Sequence, residues 1–283
     1  MNDKINFDQT DIVVKRHKTK RQIILLKLIV LIILFLIIII SGYMINGEQL
    51  EANMSEKNLS PSLTNLFGTD WLGRDMFMRT LKGLNLSFQV GFLAASISTL
   101  VAFLLSVLAS VNKLLDYIVT VLIDLFLSVP HLVTLILIAF VLGGGAKGVV
   151  IGIALTHWPT LTRVLRAEIL QIKSAEYVEI SKKLGKSRMW IIRKHYLPHL
   201  LPQLFVGFVL LFPHAILHES AITFLGFGLS PEQPAIGIIL SESMKYLSTG
   251  IWWLAFFPGL SLIVMVAIFD AFGNNLRKLI YPN

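Results

Sequence analysis

Residues 28–40 have the sequence Leu-Ile-Val-Leu-Ile-Ile-Leu-Phe-Leu-Ile-Ile-Ile-Ile, which is thirteen consecutive side chains without a polar atom. A helix that crosses a lipid bilayer needs about 20 mostly apolar residues, and the apolar region around this centre extends over residues 23–45. A secretory signal peptide also places basic residues before an apolar run. This run is too long for one, however, and Ser-Gly-Tyr-Met at residues 41–44 offers no cleavage site. The segment is therefore predicted to be a retained membrane anchor.

The composition of the whole chain also indicates a membrane protein. Of its 283 residues 55% are hydrophobic and 15% are charged, with a mean hydropathy of +0.72, whereas soluble domains have about 25% charged residues. Five further segments are long and apolar enough to span a bilayer. We therefore predict an all-α membrane protein with six transmembrane helices. The five further segments are residues 84–111, 116–142, 148–172, 200–227 and 251–272.

The distribution of basic residues predicts the orientation of the chain. With the N-terminus in the cytoplasm, 19 of the 25 Lys and Arg residues lie on the cytoplasmic side, as the positive-inside rule requires. Six spans also return the C-terminus to the cytoplasm. The predicted organisation is a cytoplasmic tail (1–22), a first transmembrane helix (23–45), an external segment (46–83) and a five-helix core (84–283) that contains a basic cytoplasmic loop (173–199).

Several classes of function are disfavoured. The net charge is +8, but the basic residues flank apolar segments instead of forming one basic domain, so nucleic acid is not an expected partner. Without cysteine the chain has no disulfide, no Cys-ligated zinc and no thiol nucleophile. The glycine-rich stretch at 143–148 lacks the spacing of a phosphate-binding loop, and no nucleophile–base pair is recognisable. An enzyme is therefore not expected.

The basic loop contains the sequence Glu-Tyr-Val-Glu-Ile-Ser-Lys-Lys-Leu-Gly at residues 176–185, which predicts a short amphipathic helix. Gly185 is expected to adopt a positive φ at its end, Ser187 to cap a second helix over residues 188–196, and Pro198 to end that second helix. The apolar face fits a membrane surface or a groove on a partner protein. By its spacing, this face carries Tyr177, Ile180, Ser181 and Leu184.

The spacing of Glu179, Gly185, Leu197 and Pro198 resembles the coupling-loop signature of ATP-binding-cassette importer permeases. Three positions depart from that signature, which has two alanines and an isoleucine: Ile180, Ser181 and His195.

Four further motifs resemble the dipeptide, oligopeptide and nickel permease family, in particular the C-type partner of its permease pair. They follow the order of the family from about residue 65 to residue 277, which covers most of the chain. The motifs are Gly-Thr-Asp-Trp-Leu-Gly-Arg-Asp at 68–75; Trp158, Arg163 and Arg166; residues 220–228, which end in Phe-Leu-Gly-Phe-Gly; and Phe-Pro-Gly at 257–259 followed by Gly273, Leu276 and Arg277.

The resemblance implies a multi-pass protein of the bacterial cytoplasmic membrane that forms a heterodimer with a homologous permease. It also implies two cytoplasmic ATPase subunits that hold ATP and Mg²⁺, an extracellular solute-binding protein, and no cofactor on this chain. ATP hydrolysis would belong to the partners, so this chain is not an enzyme. The residues implied in coupling to the ATPase are Tyr177, Glu179, Ile180, Leu184, Gly185, Leu197 and Pro198.

Ionisable residues within the predicted spans are candidates for the transport pathway, because such residues are costly in a membrane. His214 and His218 are one helical turn apart and Glu219 follows them, so these three are the candidate pathway residues. A histidine pair at this spacing can bind a metal, but no metal site is assigned. The structural alternative is that His214 bonds carbonyls freed by Pro213 and that Glu219 pairs with another helix.

Other polar residues of the spans are expected to be structural. His131 and His157 are expected to serve at a helix break or in packing, and Asp124 to pair with a neighbouring helix. The stretch 68–75 is expected to be a turn in which Asp70, Arg74 and Asp75 pair locally, with an external binding element as the alternative.

The sequence leaves two function classes and two cargo classes open. The first class is a permease of an ATP-driven importer, and the alternative is a secondary transporter that uses the titratable residues Asp124, His131, His157 and Glu219. The coupling loop favours the permease, because a secondary transporter has no use for it. The expected cargo is either a small peptide or nickel or another metal chelate.

Overall fold

The computed structural model describes residues 7–281. Apart from short 3-10 and π-helical segments and one isolated bridge between Thr69 and Asp75, the regular structure of that part of the chain is α-helical. The helices are α1 (Phe7–Met44), α2 (Met76–Val111), α3 (Lys113–Ser128), α4 (His131–Val141), α5 (Gly145–Lys173), α6 (Glu176–Lys183), α7 (Arg188–Ile191), α8 (Leu197–Phe224), α9 (Ile236–Met244) and α10 (Trp253–Ile280).

Five of the six predicted spans are continuous helices in the structure, and the remaining one is broken. Within residues 7–281, five helices are long and apolar enough to cross a bilayer, and α3 with α4 makes a sixth crossing if the two count as one span. These two helices are bent by 96°, because Pro130 has no N–H and holds the preceding Val129 in an extended conformation. The predicted span 116–142 is therefore two helices.

The N-terminal tail was predicted as residues 1–22. Its first six residues lie outside the described part of the chain, and from Phe7 onward its backbone continues into the first span as helix α1.

Helix α2 lies at the centre of the bundle, where it packs against α5 and α8. Small side chains recur every three or four residues along its buried face, and small residues let membrane helices approach closely because there is no bulk between the backbones. These buried small residues are Gly91, Ala94, Ala95, Ser98, Ala102, Ser106 and Ala109.

Helix α1 packs on the outside of the bundle against α2 and α10. The ring of Phe35 lies between Phe88 and Phe269, with ring centroids 5.0 and 4.3 Å away, and Asn85 Nδ2 donates a hydrogen bond of 2.8 Å to the carbonyl of Ile39. Among residues 21–44 of α1, most of the other apolar side chains are exposed, as expected for a helix that faces lipid.

We call the end of the bundle that carries residues 173–199 the loop end, and the other end the opposite end. At the opposite end, the stretch 68–75 forms a turn around Asp70, whose side chain is fully buried. Its carboxylate accepts from Arg74 Nε and Arg79 Nη1, both at 2.7 Å, and Arg79 also pairs with Glu242 of α9 at 2.9 Å. The structural interpretation of this stretch is supported by this network.

Asp75 is not part of that ion-pair network, contrary to the sequence prediction. Its Oδ1 accepts a hydrogen bond of 2.8 Å from the backbone N–H of Met78, which caps the first turn of α2. The sequence analysis also missed Arg79 and Glu242, which fix the turn to α2 and α9.

Candidate functional site

The loop end contains the two short helices that the sequence predicted. Gly185 ends the first with a φ of +74°, and the Ser187 hydroxyl caps the second by accepting from the N–H of Trp190 at 3.2 Å. A left-handed conformation costs most residues about 1–2 kcal/mol but little for glycine. Gly185 therefore sets the angle between α6 and α7 without strain.

The outer face of α6 and α7 is apolar and exposed. Tyr177, Ile180 and Leu184 are 43%, 57% and 71% exposed, and Met189 on α7, which the sequence analysis missed, is 71% exposed. Four exposed apolar side chains on two short helices form a surface that suits a protein groove. We call this surface, made of Tyr177, Ile180, Leu184 and Met189, the coupling surface.

Ser181 was predicted on the same face but is turned inward. Its hydroxyl oxygen lies 2.9 Å from His195 Nε2 and donates to the carbonyl of Tyr177, also at 2.9 Å, and Val178 beside it is fully buried. Ser181 and His195, two of the positions that depart from the family signature, thus contact each other and fasten α6 to the following segment. Glu179 is exposed.

Pro198 does not end the second helix, contrary to the prediction. Helix α7 continues through a π-helical segment, Ile192–Tyr196, directly into α8, so that one helical run covers Arg188–Phe224. Pro198 has no N–H to donate to the carbonyl four residues earlier. That carbonyl lies in the π-helical segment, where the wider turn accommodates the missing hydrogen bond. Leu197 is half-buried and Pro198 exposed in this run.

Two arginines of α5 pair with acids of α3. Arg166 makes a two-pronged contact with Asp116, with N–O distances of 2.5 and 2.8 Å, and Arg163 Nη2 lies 3.1 Å from Asp124 Oδ1. The prediction that Asp124 pairs with a neighbouring helix is therefore confirmed, whereas the Asp116–Arg166 pair was not foreseen.

A cavity of 530 Å³ lies among α4, α5, α8 and α10. Its wall is mixed, with apolar residues and several polar groups that point inward, as is typical of small-molecule sites. The polar and ionisable residues of the wall are His131, Thr156, His157, Thr160, Gln203, His214, His218 and Arg277.

Three of the four cavity histidines converge. His131 begins α4 directly after the break at Pro130, His157 lies in α5 and His218 in α8. Their ring centroids are 4.4, 4.6 and 5.0 Å apart, and one ring nitrogen from each lies within 4.8 Å of the others. We call His131, His157 and His218 the histidine trio.

The structure therefore places the three predicted pathway residues in different surroundings. His214 and His218 both line the cavity, but only His218 joins the trio. Glu219 does not line the cavity and is fully buried, where it accepts from the hydroxyls of Ser220 and Thr223 at 3.2 and 3.0 Å within its own helix. His131 and His157 were expected at a helix break or in packing, and His131 does begin α4 after the break; no feature of the sequence indicated that the two meet.

The chain is similar in sequence to known transport proteins. Residues 98–280 match the family described as "Binding-protein-dependent transport system inner membrane component". The chain is 31% identical over 223 residues to the dipeptide transport system permease protein DppC of Bacillus subtilis, covering 78% of this chain and 70% of that protein. It is 30% identical to DppC of Alkalihalophilus pseudofirmus, covering 78% and 73%.

A solved structure has the same fold. A chain from inward-facing conformations of the MetNI methionine ABC transporter superposes with a TM-score of 0.59 and 20% sequence identity, covering 72% of this chain and 97% of the other.

Proposed function

The chain belongs to the binding-protein-dependent transport system inner membrane components, and on that premise we propose how its coupling surface and cavity take part in transport. It is the permease subunit of an ATP-driven importer, a multi-pass protein of the plasma membrane, and ATP hydrolysis belongs to its partner subunits.

The assembly contains two permeases, two ATPases and a solute-binding protein. This chain pairs with a homologous permease as a heterodimer, and ATP and Mg²⁺ bind to the ATPases alone. The loop end and both termini lie in the cytoplasm, because this orientation puts 19 of the 25 Lys and Arg residues there. The binding protein then docks at the opposite end.

The coupling surface inserts into a cleft of one ATPase. It is the observation that carries this proposal, because exposed side chains as apolar as Ile180 and Leu184 gain from burial against a partner, by about 25 cal/mol per Å² of apolar area. Lys182, Lys183 and Lys186 beside it are exposed and keep the surface soluble before assembly. Movement of the ATPases is passed to α5 and α8, which flank the loop.

The cargo is a small peptide, alone or as a metal chelate. The relatives named above are permeases for dipeptides, and a cavity of 530 Å³ falls in the usual range for small-molecule sites, about 300–1,000 Å³. Gln203 and Arg277 of its wall supply a hydrogen-bonding amide and a cation for the peptide carboxylate. The secondary-transporter alternative is set aside, because residues 98–280 match the family of binding-protein-dependent transport components.

The test is Leu184→Asp, assayed for co-purification of the ATPase subunits and for uptake of a labelled dipeptide by cells. A charge at the centre of the coupling surface should abolish both, because a buried carboxylate without a partner is costly. The control is Leu63→Asp at the opposite end, where Leu63 is 98% exposed; it should leave co-purification unchanged. Normal co-purification with Leu184→Asp would contradict the proposal.

A further inference from the structure

Two of the six ring nitrogens of the histidine trio are buried without a partner in the protein. Among the described residues, His131 Nδ1 and His157 Nε2 are buried and have no hydrogen-bond partner. A buried polar group left unpaired costs about 1–3 kcal/mol. A ligand that bonds to both of these nitrogens would remove that cost.

The tautomer of His157 makes its free nitrogen a metal ligand. Its Nδ1 lies 3.0 Å from the carbonyl oxygen of Ile153, which can only accept, so Nδ1 carries the hydrogen and Nε2 keeps its lone pair. A second ring nitrogen that donates to a backbone carbonyl is the usual support of a metal-binding histidine.

We propose that His131, His157 and His218 form a binding site for a divalent first-row transition-metal cation in the wall of the cavity. The histidines come from three different helices, α4, α5 and α8, so that the cation would tie together elements that are far apart in sequence.

The distances allow one ion after a small adjustment. A metal–nitrogen bond to histidine is about 2.0–2.1 Å, so two nitrogens of one tetrahedral ion lie about 3.4 Å apart. The trio nitrogens lie within 4.8 Å of one another, so side-chain rotations that bring them together by up to about 1.5 Å complete the site. Three protein ligands leave at least one coordination position open toward the cavity.

The residues of the cavity wall indicate which class of cation binds and which class of ligand arrives with it. Imidazole nitrogen suits Ni²⁺, Co²⁺, Zn²⁺ and Cu²⁺, whereas Mg²⁺ and Ca²⁺ need oxygen ligands, and the cavity wall contains no Asp or Glu among the described residues. Arg277 in the same wall repels a bare cation and attracts a carboxylate. A cation that arrives chelated by a small peptide satisfies both groups, and this part of the inference rests on the proposed function.

The experiment measures metal binding to the full chain in lipid nanodiscs, purified without a polyhistidine tag. The probes are NiCl2 alone, Ni²⁺ premixed with a histidine-containing dipeptide, and CoCl2, whose visible absorption reports nitrogen coordination. We expect one ion per chain in the nickel titrations, a Co²⁺ spectrum typical of imidazole ligation, and no competition from excess Mg²⁺.

The variants are His157→Ala, His218→Ala and the more conservative His131→Gln. Each should weaken Ni²⁺ binding by at least the tenfold to 100-fold that loss of a supporting residue alone typically costs. The control is His199→Gln, because His199 is exposed at the loop end; its affinity should match that of the unaltered chain. Size-exclusion chromatography of each variant confirms that it is folded.

The proposal is overturned if the folded, unaltered chain binds neither Ni²⁺ nor Co²⁺, or if the trio variants bind as the unaltered chain does. The Co²⁺ spectrum of the unaltered chain decides this even if a variant fails to fold. Because no ATPase and no uptake enter the measurement, a failed metal site leaves the permease role standing, and normal co-purification in the Leu184→Asp test leaves the metal site standing.

Discussion

At the scale of single residues, Asp70 has the largest structural role at the opposite end. Its buried carboxylate neutralises Arg79, whose side chain is only 5% exposed, and it also accepts from the backbone N–H groups of Leu72 and Arg74, both at 2.9 Å. A buried cation that loses its partner is strongly destabilising, whereas the same change at an exposed acid is nearly neutral.

We therefore expect Asp70→Asn to lower the stability of the chain by about 1–3 kcal/mol, because Arg79 loses one carboxylate partner but keeps Glu242 at 2.9 Å. The change is measured as unfolding in a titration with sodium dodecyl sulfate. The control is Asp270→Asn in α10, since Asp270 is exposed and accepts only from Asn274 at 3.1 Å. Equal effects of the two substitutions would show that the Asp70 network does not hold the turn.

Two features of single residues in the coupling loop could be predicted from the sequence alone. The positive φ of Gly185 and the cap formed by Ser187 follow from local chemistry, so the sequence predicted both correctly. Ser181 was misplaced, because its position at the edge of the helical face fits either side. Only its contact with His195 shows that it points inward.

At the scale of elements, two ion pairs join α3 to α5 and differ in burial. Arg166 and Asp116 are 23% and 32% exposed and make two bonds, while Arg163 and Asp124 are 58% and 63% exposed and make one. Ion pairs that are better buried and held by two bonds are stronger than exposed single contacts.

A double-mutant cycle with alanine at Arg166 and Asp116 is expected to give a coupling energy of about 0.5–3 kcal/mol. The same cycle at Arg163 and Asp124 serves as the matched comparison and should give about 0.2–1 kcal/mol. Both are measured by the same detergent unfolding titration. A larger coupling for the Arg163 pair would contradict the assignment of the Arg166 pair as the main link between the two helices.

The break between α3 and α4 has a consequence at the same scale. A helix break at His131, directly after Pro130, was expected from the sequence. The angle of 96° between the two helices, however, depends on how α4 then packs against α5. This bend places His131 at the start of α4, beside His157. A straight span over residues 116–142 would have no reason to bring these two histidines together.

At the scale of the whole molecule, the orientation can be tested directly because the chain has no cysteine. A cysteine at Leu63, 98% exposed at the opposite end, should react with a membrane-impermeant maleimide in intact cells. A cysteine at Lys194, exposed at the loop end outside the coupling surface, should react only after the cells are permeabilised. Labelling of Lys194→Cys in intact cells would reverse the proposed orientation.

The sequence by itself determined the class of fold, five of the membrane-spanning helices and the place of the coupling loop. Hydropathy and helix caps are properties of neighbouring residues, so they can be read without knowing which helices touch. The bilayer strengthens this relation, because every backbone polar group must be satisfied within its own helix.

Only the tertiary structure decided which side chains meet. The histidine trio joins α4, α5 and α8, and its assembly depends on the bend at Pro130 and on the rotation of each helix about its axis. The rotations of α5 and α8 are set by their close packing against the small residues of α2, and that of α4 by its packing against α5. Each is a sum of many weak contacts between distant segments. The assembly of the trio therefore cannot be predicted from the spacing of His131, His157 and His218 along the chain.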